Sequence, residues 1–160
     1  MTLTVPTKQQ YLQVKDWFSN HQEIYSWGGP NMAYPMSDNN FLKLLTADHF
    51  KSFGLLNDQQ QLLAFGQYYR RLDHHHLARL AVSPQYRGQG MAKILMTKIL
   101  EQALLAQAAK GVSLFVFKDN IVAYQCYQSL GFIETDYPET PFPGNMKNCA
   151  YMVLSAPNLQ

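Results

Sequence analysis

Only two cysteines, Cys126 and Cys149, occur among the 160 residues. Two cannot form a disulfide framework, and no paired Cys/His spacing marks a structural zinc site, so both are read as packing residues and no metal is expected. No apolar run approaches the roughly 20 residues that span a bilayer, and Met1 to Gln10 shows neither a basic stretch followed by an apolar one nor a small-residue cleavage site. The reading is a soluble, cytoplasmic protein with no membrane partner. Charge is also scarce: 15% of residues are charged, the formal net charge is +2, and the basic residues are scattered. That distribution gives no electrostatic footprint for nucleic acid. Internal repeats and low-complexity segments are absent too. What is plentiful is apolar mass, at 47% of the chain, enough for a single domain over residues 1–160 with its own core.

The periodicities predict a strand at Leu3 to Val5, then a helix over residues 7–19 with Thr7 as its N-cap and Tyr11, Val14, Trp17 and Phe18 on one face. Residues 21–40 are rich in turn formers, including Trp27-Gly28-Gly29-Pro30 and Tyr34-Pro35, and read as a loop with helical pieces. Phe41, Leu42, Leu44 and Leu45 suggest a further helix. Strands at 50–57 and 61–70 flank a polar hairpin connection, and a third strand spans 74–82. A helix over 90–109, a buried strand at 112–117 and a helix over 120–130 follow, with Gly131 in the position of a helix C-terminal stop. Strands at 132–137 and 148–154 are separated by a proline-rich loop from Pro138 to Pro143. Alternating strands and helices in the second half imply a parallel crossover, and the hairpins imply antiparallel neighbours. The expected class is α/β (α+β) with a mixed, centrally buried sheet.

The segment Leu80-Ala81-Val82-Ser83-Pro84-Gln85-Tyr86-Arg87-Gly88-Gln89-Gly90 runs off a strand and delivers two glycines into the start of a helix. Unpaired amides at a helix N-terminus, backed by the positive end of the helix dipole, attract anions, and glycines let a pyrophosphate approach the backbone. A Walker A loop would need Gly-Lys-Ser/Thr, and a dinucleotide fingerprint would need a third glycine where this chain has Lys93. Neither pattern is met. Taken alone, the turn is either a diphosphate cradle or only a tight strand-to-helix connection.

Gln85-x-x-Gly88-x-Gly90, preceded by Ala81-Val82-x-Pro84, resembles the cofactor motif of the GNAT family of N-acetyltransferases. A second segment, Asn120-x-x-Ala123-x-x-x-Tyr127-x-x-x-Gly131-Phe132, resembles that family's later motif at the expected distance downstream. The resemblance covers roughly Phe50 to Leu154. It implies the GNAT fold: a mostly antiparallel sheet of about seven strands with one parallel, splayed pair, flanked by helices. It also implies acetyl-CoA as acyl donor. The pantetheine arm would then lie along Leu80, Ala81 and Val82. The pyrophosphate would lie on the turn formed by Gln85, Arg87, Gly88, Gln89, Gly90, Met91 and Ala92. Asn120, Tyr124 and Tyr127 would stand near the pantetheine end.

Acetyl transfer to an amine needs a neutral nucleophile, a stabilised oxyanion and a proton for the departing thiolate. Tyr127 matches the family position whose phenol lies near the sulfur, which implies the role of acid; packing on a helix face is the alternative. For the base, the strand around His74-His75-His76 is the place to look. Side chains alternate there, so the three histidines cannot easily share one metal. His76, five residues before Ala81, lies close to where histone acetyltransferases of the family carry a glutamate base, and its ordinary pKa near ~6.5 would suit proton removal. On the acceptor side, Glu23, Trp27 and Tyr34 are candidates to recognise a cationic amine through charge and cation–π contacts. The expected partner is a small-molecule amine, with protein amino termini or lysines as the alternative acceptors and acyl-CoA sensing without turnover as the alternative function. Dimers are common in this fold, so a homodimer stays open.

Overall fold

A computed structural model describes residues 1–106, 109–139 and 147–156. Among the described residues thirteen elements follow one another, including one short 3-10 turn. The strands are β1 (Thr2–Thr4), β2 (Lys51–Leu56), β3 (Leu62–Arg71), β4 (His74–Val82), β5 (Gly111–Phe117), β6 (Ile133–Glu134) and β7 (Cys149–Ser155). The helices are α1 (Lys8–Lys15), α2 (His21–Gly28), α3 (Asp38–Leu45), α4 (Met91–Ala106) and α5 (Ile121–Ser129), and a 3-10 turn spans Pro84–Tyr86. The strands form one seven-stranded sheet in the order β1-β2-β3-β4-β5-β7-β6. β4 and β5 are parallel, whereas β1–β2, β2–β3, β5–β7 and β7–β6 are antiparallel. This is the mixed sheet with one parallel pair that the element order demanded.

Two compact units can be distinguished, Met1–Tyr69 with Ala78–Ile99 and Arg70–Leu77 with Leu100–Gln160. In the first, each N-terminal helix begins on a side-chain cap. Thr7 and Gln10 form a reciprocal capping box at α1, Asn20 accepts from the Glu23 amide at 2.9 Å, and Ser37 accepts from the Asn40 amide. Such caps satisfy amides that the helix cannot, and each is worth about 1 kcal/mol. The buried faces of these helices (Val14, Ile24, Phe41, Leu45) meet Leu56, Leu62 and Phe65 of the sheet in one apolar cluster. Gly66 of β3 lets α4 and β4 close in: a Cβ there would stand 2.6 Å from Leu80 and 3.1 Å from Ile99.

In the turn-rich stretch after residue 20, one of the expected helical pieces is a full two-turn helix, α2, because Asn20 caps it and Glu23 closes back on the Ser19 amide at 2.8 Å. One expectation for this unit needs correction. Helix α1 stops at Lys15, four residues short of the predicted end, and Phe18 reaches the core from the following turn.

In the second unit β5 is buried along most of its length, with Val112 and Ser113 fully enclosed. Gly111 is required by packing, since a Cβ at that position would collide with the carbonyl oxygen of Leu154 on β7. Gly131 takes φ +99 just past α5, the left-handed conformation that ends helices and that glycine adopts without penalty. β6 is only two residues long, shorter than predicted. Of the expected Pro138–Pro143 loop, residues from 140 onward lie outside the described residues.

Candidate active site

The glycine turn belongs to the first unit. Its entrance is fixed by buried Ser83, whose amide donates to the Leu63 carbonyl at 2.9 Å and whose carbonyl accepts from the Tyr86 amide at 2.9 Å. Beyond the 3-10 turn the chain is exposed. The Arg87 Nε donates to the Val82 carbonyl at 3.3 Å, and the Gln89 side chain donates to the Gln85 carbonyl at 3.3 Å. Gly88 and Gly90 have φ of +74 and +81, and a Cβ at either would meet nothing within 4 Å. The first intrahelical bond of α4 runs from the Ile94 amide to the Gly90 carbonyl at 3.2 Å. The amides of Met91, Ala92 and Lys93 therefore occupy the first helical turn, where geometry supplies no carbonyl partner. An open, positive-φ turn feeding unbonded amides is a cradle that a pyrophosphate fits.

Strand β4 leads into that turn, but its pairing with β5 stops short of it. Its parallel ladder with β5 pairs His75, His76 and Leu77 with Val112, Ser113 and Leu114, and Leu80 to Val82 lie past it. Between the two stretches Arg79 adopts φ +54, a left-handed conformation uncommon outside glycine and typical of a bulge. The strict alternation of faces read from the sequence is broken there.

In the second unit, Asn120 caps α5, its Oδ1 accepting from the Ala123 amide at 3.3 Å. Tyr124 donates its phenol to Glu134 at 3.2 Å. The partly buried Tyr127 sits edge-on to Phe132 at 6.2 Å, and its carbonyl accepts from the Leu130 and Phe132 amides. Burial, with a smaller contribution from neighbouring Cys126, pushes the Tyr127 phenol up to about 12. It is protonated throughout the physiological range.

The expectation of an ordinary histidine at position 76 fails. His76 is only 2% exposed, since β4 is an interior strand, and its Nδ1 is 2.8 Å from the Ser113 hydroxyl on β5. Phe115 stacks edge-on to its ring at 4.7 Å. Burial, then the positive charge of Arg71 and then His74, lowers its pKa to about 3. The imidazole is neutral at any working pH. The sign for stability follows: between about pH 6.5 and about pH 3 the unfolded chain takes up a proton that the folded one refuses, so acid destabilises the fold. Replacing His76 with glutamine is expected to flatten the loss of stability on acidification below pH 6.5 by the about 1.4 kcal/mol per pH unit that one refused proton contributes. Denaturant melts at a series of pH values measure this, and equal slopes for the two proteins would refute the assignment.

Two of the three histidines also part company locally. His74 Nδ1 is 2.8 Å from the Leu72 carbonyl, while His76 turns to Ser113. Among the described residues no cluster of three His, Cys, Asp or Glu side chains is placed to hold a metal.

The acceptor candidates are more dispersed. Glu23 is exposed and occupied in closing the α2 cap. Trp27 packs against Phe18, Phe41 and Phe65 in the apolar cluster, with its Nε1 buried. Tyr34 is 47% exposed. Sequence reading did not single out Arg79, whose guanidinium donates to the carbonyls of Leu44 (3.1 Å) and Gly28 (3.3 Å) and to Gln67 Oε1 (3.2 Å). Its one signal is a cation set among Leu77, Ala78, Leu80 and Ala81 in the apolar second half of β4.

Comparison with known proteins adds to this geometry. The profile described as "Acetyltransferase (GNAT) family" matches residues 12–132. The chain belongs to the GNAT family. It is thus an acetyltransferase, and its acyl donor is acetyl-CoA, the donor that GNAT enzymes use. Over 100 residues, 61% of this chain and 68% of the relative, it is 32% identical to the [ribosomal protein bS18]-alanine N-acetyltransferase of Haemophilus ducreyi. Among solved structures, the spermidine N-acetyltransferase of Vibrio cholerae in complex with CoA and spermine superposes with a TM-score of 0.78 at 16% identity, covering 99% of this chain and 96% of that one. The ribosomal-protein-S18-alanine N-acetyltransferase of Escherichia coli superposes with a TM-score of 0.69 at 21% identity, covering 97% and 93%. Both share the fold of this GNAT protein. No helix among its described residues is long and apolar enough to cross a membrane.

Proposed function

We propose that this GNAT enzyme acetylates the primary amine of a small molecule carrying a single positive charge. The observation behind the acceptor class is how two acidic side chains of the N-terminal helices, Glu23 and Asp38, are used. Asp38 is ion-paired with Lys15, and Glu23 closes a helix cap. A polyamine needs several unengaged carboxylates along its length, whereas a monoamine does not.

On the donor side, acetyl-CoA when bound supplies an activated thioester acyl group. In this reading the turn residues Gln85, Arg87, Gly88, Gln89, Gly90, Met91 and Ala92 hold the pyrophosphate. The backbone of Leu80, Ala81 and Val82 orders the pantetheine arm, and Asn120 and Tyr124 border its far end. Tyr127 supports the departing sulfur with a hydrogen bond rather than a full proton. With its phenol at about 12 and an ordinary thiol near ~8.5, complete transfer would run uphill by roughly 5 kcal/mol. The neutral His76 does not serve as a base of ordinary strength, so the amine proton leaves through water.

A second reading, acetylation of a protein amino terminus, is favoured by the 32% identity with the Haemophilus ducreyi enzyme. The test is thiol release from acetyl-CoA over three groups of acceptors: monoamines, spermidine and spermine, and peptides with a free N-terminal alanine. Monoamines are expected to exceed polyamines in kcat/KM by about tenfold or more. Preference for the peptides would establish the second reading, and preference for polyamines would sink both. Coenzyme binding without turnover on any acceptor would point to a sensor.

A further inference from the structure

We infer that Arg79 is a positioning residue that ties the acceptor-side helices to the coenzyme strand and holds the bulge in that strand. Its guanidinium is the meeting point of three elements of the first unit and the Phe50 ring. It donates to the last turn of α3 at Leu44, to the C-terminal end of α2 at Gly28 and to Gln67 of β3. Its plane lies over the Phe50 ring with the central carbon 4.6 Å from the centroid. Gln67 is fully buried, and its amide nitrogen donates to the Leu45 carbonyl at 2.7 Å and to the Ser52 hydroxyl at 2.8 Å. The polar centre is therefore cross-braced rather than a lone buried cation.

Both contacted helix ends carry carbonyls that lack helical partners, and a cation at a helix C-terminus also meets the negative end of the dipole. A planar fork with several donors can serve both ends at once, which a lysine ammonium cannot do in the same geometry.

The backbone of the same residue bears φ +54. An L-residue adopts that conformation only when its surroundings impose it. Here the guanidinium bonds to two helices and β3 supply the constraint. If residue 79 relaxed to ordinary extended geometry, the alternation of faces would shift by one, and Leu80, Ala81 and Val82 would present the wrong side. Arg79 thereby fixes the aim of the strand proposed for the pantetheine arm and, with the same atoms, the position of α2 and α3.

The experiment compares Arg79→Gly, Arg79→Ala and Arg79→Lys. Its acceptor arm rests on the proposed amine reading, while its coenzyme arm uses calorimetric titration with CoA alone and needs no acceptor. Glycine tolerates the left-handed bulge without a guanidinium, whereas alanine and lysine do not. The expected result is CoA affinity within about threefold of wild type for Arg79→Gly and about tenfold weaker for Arg79→Ala and Arg79→Lys. All three variants should raise the acceptor KM about tenfold with a smaller change in kcat, because the helix tie is lost in each. Should Arg79→Ala fail to fold, the glycine–lysine pair carries the same comparison. Equal CoA affinity across the folded variants would overturn the bulge assignment, and an unchanged acceptor KM would overturn the tie. If no amine is acetylated by wild type, the acceptor reading falls and the titration still decides the bulge.

Discussion

Replacing Gly90 with valine is expected to weaken coenzyme A binding by roughly thirtyfold while leaving the ligand-free fold largely intact. The reason differs from simple crowding inside the protein. A Cβ at this position meets no protein atom within 4 Å, so nothing in the chain resists it sterically. What resists is the backbone, at φ +81, where a β-branched residue is strained by about 1–2 kcal/mol or more and pulls the turn toward another conformation. The added methyl groups also project into the space beside the first-turn amides of α4, where the pyrophosphate is proposed to lie. Both effects act on the ligand. Calorimetric titration with CoA measures the loss, and thermal melting of the free protein checks the fold. Affinity unchanged within about twofold would remove the pyrophosphate from this turn.

Tyr127→Phe should lower kcat by about a hundredfold with CoA affinity held within about threefold. The ring stays, so its edge-on contact with Phe132 at 6.2 Å and the helix end built on the Tyr127 carbonyl are kept. Only the hydroxyl goes. A phenol held at about 12 has no ionisation to lose below pH 10, so the residual activity should show the wild-type pH profile between pH 6 and 9. Single-turnover measurements separate this loss from product release. An undiminished rate would take Tyr127 out of the chemistry and leave it as a packing residue.

How much of this was visible in the sequence varied with the range of the interactions involved. β4 was read with its true limits, because the turn at Leu72-Asp73 and the Ser83-Pro84 step bound it locally. The Asn120 start and Gly131 stop of α5 were equally local and equally plain. The full extent of helix α2 was hidden because its end is a Gly-Gly pair that advertises a turn, while its cap depends on Asn20 and Glu23 reaching backbone amides. Sequence alternation placed His76 on one face of β4. The expected parallel crossover gave β4 a neighbour but could not show that Ser113 and Phe115 of that neighbour would enclose the ring, and the burial moves its pKa from near 6.5 to about 3. The chemistry of Trp27 alone suggests an acceptor contact, yet three aromatic rings from distant positions enclose it. Arg79 was missed for a related reason. A period of two assumes an unbroken strand, and the bulge at Arg79 arises from carbonyls 35 and 51 residues away in the chain.

The glycines of this protein differ in what keeps them glycine. At Gly111 the neighbouring strand forbids a side chain, through the Leu154 carbonyl. At Gly88 and Gly90 the protein leaves the space open. A lineage selected only to fold would have to retain the first and would be free to let the other two drift toward asparagine, which visits positive φ readily. Gly29 at the end of α2 is just as open at positive φ, so what sets Gly88 and Gly90 apart is the first-turn amides of α4 beside them, and their replacement in a descendant is expected to cost the ligand before the fold.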